Sequence, residues 1–168
     1  MKRPVGKGQN SAGSTLVICI LFAGLLLVAC SSGPDLETPP DIRYGEDSCD
    51  RCLMIINEAR YAAAYLTNDG ETRRFDDIGG MVAYTQEVTE DVAVFWVHDF
   101  DTEEWLKGDA AFYVAGVQAT PMGFGIVAFA NQDRAEAWAA EEGGLVMTFN
   151  ELLNQDEAEA SLSEHSGG

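Results

Sequence analysis

Cys49, Cys52 and Met54 place two thiols and one thioether within six residues, immediately after a Pro/Gly/Ser-rich stretch. Thiolate and thioether are soft, polarizable ligands, and soft ligands favour soft ions, Cu(I) above all. Cys52 and Met54 are two apart, so in an extended segment both sulfurs point to one face and can reach one ion. Met122 follows far downstream in Thr120-Pro121-Met122-Gly123. In such a turn signal an apolar side chain gains little burial, which makes a core role a poor explanation for it. The expectation is that folding returns Met122 to the first cluster and closes a low-coordinate copper site.

The Cys-x-x-Cys pair is open to other readings. A redox motif needs a helix starting at the first Cys in a βαβ context, and no helical pattern starts at Cys49. A closed zinc site needs a second Cys/His pair. The only histidines are His98 and His165. A plain disulfide between Cys49 and Cys52 in an oxidising compartment stays open. His98-Asp99-Phe100-Asp101 reads first as a polar turn after a buried strand, with His98 kept as a candidate extra ligand because imidazole suits Cu and Zn. Met54 could equally be core beside Ile55-Ile56, and Met81 and Met147 read as core. Asp76-Asp77 reads as helix capping rather than acid/base chemistry.

The elements that must carry these residues follow from the pattern. Lys2, Arg3 and Lys7 precede a thirteen-residue apolar run, Leu16 to Val28, ending in Leu27-Val28-Ala29-Cys30. The run is right for a signal peptide and too short for a span. The tetrapeptide resembles the lipobox of prokaryotic lipoproteins, which implies cleavage after residue 29 and a lipid on the Cys30 thiol. Residues 30–45, with Pro34, Pro39 and Pro40, read as a tether. Residues 46–153 read as the folded domain and 154–168 as a disordered acidic tail.

Within the domain, Tyr61–Leu66, the turn Asn68-Asp69-Gly70 and Glu71–Phe75 form a hairpin. A helix follows from Asp76-Asp77 to about Val88, then a strand over Val92–Val97. The order repeats with Ala110–Val117, Gly125–Phe129, a helix over Asp133–Glu142 and a strand over Leu145–Thr148, before a last helical turn at Phe149–Leu153. The fold class is α+β: two small ββαβ units, about 58–98 and 108–149, packed together.

From Cys30 onward seven basic residues face 28 acidic ones, a net of −21. Such a surface repels phosphate backbones, so nucleic acid is not a partner. Lys107 is the only lysine after the leader, a composition that also suits high salt. No phosphate loop or nucleophile–base–orienter set is visible, so no enzyme activity is assigned.

Taken together, Cys49-x-x-Cys52-x-Met54, Phe75-Asp76-Asp77-Ile78-Gly79, Trp96-Val97-His98-Asp99-Phe100, Trp105 and the run from Thr120 to Phe129 resemble the NosL family over roughly 47–153. The resemblance implies a Cu(I) metallochaperone lipoprotein of the cell envelope, facing the periplasm or extracytoplasmic space. Its partners would be a copper donor protein, the membrane through Cys30, and nitrous oxide reductase or its assembly machinery. It implies two ββαβ units related to the organomercurial lyase fold, and copper-binding sulfurs at Cys52, Met54 and Met122, with Cys49 beside them. Leu53 departs from the family pattern, in which Gly often precedes the Met. The alternative from another class is a thiol-disulfide oxidoreductase of the cell envelope using Cys49 and Cys52.

Overall fold

The computed structural model describes residues 33–116 and 119–154. The leader, Cys30 and the acidic tail lie outside them. Strands β1 (Ala63–Thr67) and β2 (Thr72–Phe75) form the expected hairpin. Gly70 closes it at φ 93°, a left-handed conformation that glycine adopts without a Cβ penalty. Helix α1 (Ile78–Glu87) and β3 (Val92–His98) complete the first unit. The second contains β5 (Phe112–Ala115), β6 (Ile126–Phe129), α2 (Gln132–Glu142) and β7 (Leu145–Met147), followed by α3 (Phe149–Leu153). Between the units lies β4 (Trp105–Lys107), a three-residue edge strand too short to show a period.

The two units share one topology. The first sheet has the order β2-β1-β3-β4 and the second β6-β5-β7. In each, the unit's first strand is central, flanked antiparallel by its second and third. The ββαβ repeat read from the sequence is therefore present, with β4 added to one edge.

Strand alternation divides the apolar residues between two cores. Tyr65, Phe75, Ile78, Met81 and Val97 of the first unit meet Tyr113, Ile126, Ala128, Phe149 and Leu152 of the second in one continuous core. The alternate residues of the second sheet, Val114, Val127 and Phe129, bury against Ala135 and Trp138 of α2. The second unit is also joined by hydrogen bonds to the residues that follow β3, one to backbone and one to the Asp99 carboxylate. The Phe100 N–H donates to the Ala128 carbonyl at 2.8 Å, and the Ala130 N–H to Asp99 at 2.7 Å.

Residues 33–45 contain no helix or strand, as their prolines dictate. They are nonetheless packed on the domain. Ile42 is buried, Arg74 Nε donates to the Asp41 carbonyl at 2.8 Å, and the Tyr44 hydroxyl meets His98 at 3.1 Å. A tether reaching to Gly45, the reading suggested by composition, is thus shortened: apolar Ile42 and aromatic Tyr44 gain more by covering the sheet than by remaining in water.

Candidate metal centre

Cys49 to Met54 form the tip of a short irregular hairpin. Ser48 pairs antiparallel with Ile55, the Cys49 N–H donates to the Met54 carbonyl at 2.8 Å, and the Leu53 N–H to the Cys49 carbonyl at 2.9 Å. The segment is a turn, so the extended geometry invoked for Cys52 and Met54 does not hold. Leu53 between them sits at φ 63°, a left-handed conformation that L residues adopt at a cost. A glycine there would be free of that cost.

The hairpin is fastened to the free edge of the first sheet. The Asp50 N–H donates to the Arg74 carbonyl at 2.8 Å, and the Arg74 N–H to Asp50 Oδ2 at 2.6 Å. Asp76, two residues beyond Arg74, consequently arrives beside the thiols. Its carboxylate is buried, with both oxygens 3.6 Å from Cys52 Sγ. One ligand atom from each of Cys49, Cys52 and Asp76 lies within 4.8 Å of the others. Two sulfurs on one ion stand at most about 4.6 Å apart at metal–sulfur distances near 2.3 Å, so small side-chain adjustments bring this group onto a single cation.

Cys49 is the buried member and Cys52 the half-buried one. Burial pushes the Cys49 thiol up to about 12, against the opposing pull of the Cys52 and Asp76 backbone N–H groups. A thiolate there needs a cation beside it. Met54, on the same hairpin, is 45% exposed, which counts against a core role.

Met122 comes from the second unit, in the loop between β5 and β6. The loop is pinned by Asp77, a fully buried side chain. Asp77 caps α1 by accepting the Gly79 N–H at 2.8 Å, and its other oxygen accepts the Thr120 hydroxyl and, at 3.0 Å, the Met122 N–H. Phe124 lies on Gly79, where any Cβ would come within 2.2 Å of it. The Arg51 guanidinium, from the cysteine hairpin, stands 5.6 Å from the Phe124 ring centroid. Residues 49–54, 75–79 and 120–125 therefore converge. Adjacent residues of one segment hold both neighbours: Asp76 meets the Cys52 thiol, and Asp77 holds the Met122 backbone.

His98 stands outside the Cys49–Cys52–Asp76 group. It is buried against Trp105, with Nδ1 3.1 Å from the Ala62 carbonyl and Nε2 3.1 Å from the Tyr44 hydroxyl. A carbonyl only accepts, so Nδ1 carries the proton and Nε2 accepts from Tyr44. Burial holds the His98 pKa below its usual value, partly offset by the Ala62 hydrogen bond. Both ring nitrogens are thus engaged. Cys30 and His165 lie outside the described residues.

Asp76 is the member that reading the sequence missed, because the acidic doublet was assigned wholly to capping. A helix has one N-cap, and Asp77 fills it. The second carboxylate was the available signal.

Three comparisons bear on this arrangement. The sequence profile of the NosL family matches residues 43–157. The copper-binding lipoprotein NosL of Stutzerimonas stutzeri is 25% identical over 169 aligned residues, covering 93% of this chain and 87% of that protein. The crystal structure of the copper chaperone NosL from Shewanella denitrificans superposes with a TM-score of 0.59 at 21% identity, over 68% of this chain and 94% of that one, a likeness of fold. With the profile covering both ββαβ units and the converging loops between them, the chain belongs to the NosL family.

Proposed function

We propose that this protein is a membrane-anchored Cu(I) metallochaperone that delivers copper for assembly of the copper–sulfur centre of nitrous oxide reductase. Cu(I) is cargo, held by the Cys52 thiolate and the Met54 and Met122 thioethers, with Cys49 as the buried reserve sulfur. His98 would join them only by giving up Tyr44. The half-buried Cys52 and half-exposed Met54 leave a face from which a partner's sulfur can attack and take the ion by ligand exchange. No substrate bond is made or broken, so the protein acts as a carrier and not as an enzyme. A lipid on Cys30 would hold it in the cell envelope.

The observation that carries this reading is the convergence of the cysteine hairpin and the Met122 loop on Phe75–Gly79. The copper named for the Stutzerimonas and Shewanella relatives supports it, and the client is inferred from family resemblance. Thiol-disulfide exchange fits less well. The leading cysteine of such a motif needs a depressed pKa, and burial pushes that of Cys49 the other way.

The test is an anaerobic Cu(I) titration of the full chain in detergent against a chromophoric chelator, with copper-edge absorption counting sulfur ligands. One Cu(I) per chain is expected, with an affinity loss of about tenfold or more in Cys52→Ser and in Met122→Leu. Unchanged affinity in both variants would remove these residues as ligands.

A further inference from the structure

Of the six large apolar side chains exposed among the described residues, four lie around the candidate metal centre. Leu53 is 76% exposed, Met54 45% and Ile55 42%, consecutive at the hairpin tip, and Phe124 is 39% exposed on the pinned loop. Arg51 connects the two groups through its contact with Phe124. Leu53 is held outward at a backbone angle unfavourable for it. Contiguous exposed apolar surface of this kind marks a site of association.

The surrounding charge specifies what associates. All seven basic side chains of the domain are already in ion pairs: Arg43 with Glu46 and Asp47, Arg51 with Glu87, Arg60 with Glu103, Arg73 with Glu90, Arg74 with Asp47, Lys107 with Glu37 and Arg134 with Asp101. With 28 acidic residues in all, the surplus carboxylates set the field over the whole surface. Resting on the carrier reading above, we propose that the lip formed by Leu53, Met54, Ile55 and Phe124 docks a protein partner whose contact face is apolar at its centre and ringed by lysine and arginine. The apolar centre excludes water around the exchanging sulfurs, and the ring supplies the steering that a negative carrier lacks cations to provide itself. The same field disfavours a second copy of this chain and an anionic bilayer, the other two takers of an apolar tip.

The probe is a pair of synthetic amphipathic helical peptides with one Leu/Phe face, rimmed by Lys in one and by Glu in the other. Each is titrated into the isotopically labelled full chain in nanodiscs. The Lys-rimmed peptide is expected to bind at least about tenfold tighter, to weaken on raising salt toward 0.5 M, and to shift amides at 53–55 and 122–124. Leu53→Ser with Ile55→Ser should cost about fivefold or more in binding while Cu(I) affinity stays within about twofold. Leu145→Ser, which removes an apolar side chain that is 64% exposed elsewhere, should cost nothing. Equal binding of both peptides, salt-independent binding, or equal losses in the two variants would overturn the proposal. So would broadening of the 53–55 amides by nitroxide-labelled lipid, which assigns the tip to the bilayer, or a concentration-dependent dimer lost in the Leu53/Ile55 variant. Loss of Cu(I) binding by the wild type would instead defeat the carrier reading and leave the peptide result standing.

Discussion

Asp77 carries the connection between the helix α1 start, beside the cysteine hairpin, and the Met122 loop, and its removal tests that connection directly. In Asp77→Ala the α1 cap is lost, which costs about 1 kcal/mol. The Thr120 hydroxyl and the Met122 N–H also lose their shared carboxylate acceptor, at about 1.5 kcal/mol each. In the same turn the Gly125 N–H donates to Thr120 Oγ1 at 3.1 Å, so the Thr120 hydroxyl couples Asp77 to the rest of the loop. The total is about 4 kcal/mol, a large share of a domain's stability. Equilibrium urea unfolding measures it. A second readout is a double-mutant cycle on Cu(I) affinity. With the loop unpinned, Met122→Leu should cost far less in the Asp77→Ala background than in the wild type. A stability loss below about 1 kcal/mol, or an undiminished Met122 effect in the variant, would show that Asp77 does not place the loop.

Leu53→Gly relieves the left-handed strain of about 1 kcal/mol but gives the unfolded chain similar extra freedom, so stability should change by less than about 1 kcal/mol. Leu53→Ile, β-branched at the same φ, should lose about 1–2 kcal/mol, and equal thermal midpoints for the two variants would contradict the strain assignment. Asp99 is pushed up by burial, but the N–H groups of Ala130, Thr102 and Asp101 and the Thr102 hydroxyl outweigh this and hold its carboxyl below the usual range. Its contribution is therefore present above pH about 4 and is lost as pH falls through the lowered value. Urea midpoints at neutral and acid pH should show a smaller acid loss in Asp99→Asn, and an unchanged slope would refute this. The raised Cys49 thiol works at the other end of the scale. It stays protonated when folded while the unfolded chain ionises, so stability should decline as pH rises from about 9 toward about 12. Cys49→Ala should remove that decline, and an identical alkaline slope would contradict it.

The ββαβ repeat was legible because local chemistry specifies it. Asn68-Asp69-Gly70 makes the hairpin and Asp77 caps the first helix, whereas the division of Tyr113-Val114 and Val127-Ala128 between two buried faces is seen only in the fold. β4 was not legible, since a three-residue edge strand is defined by its partner β3 rather than by its own sequence. The soft-ligand character of Cys52, Met54 and Met122 is likewise a property of residue types and can be read one by one. What brings the cysteine hairpin and the Met122 loop to the same Phe75–Gly79 segment is not. That depends on Asp50 stitching the hairpin to β2 and on Asp77 reaching 45 residues ahead to the Met122 N–H. It also placed Asp76 against a thiol and engaged His98 with Tyr44 and Ala62. A side chain's type is set locally, whereas the partner that satisfies its charge or lone pair is chosen by packing between segments distant along the chain, and only the folded structure makes that choice.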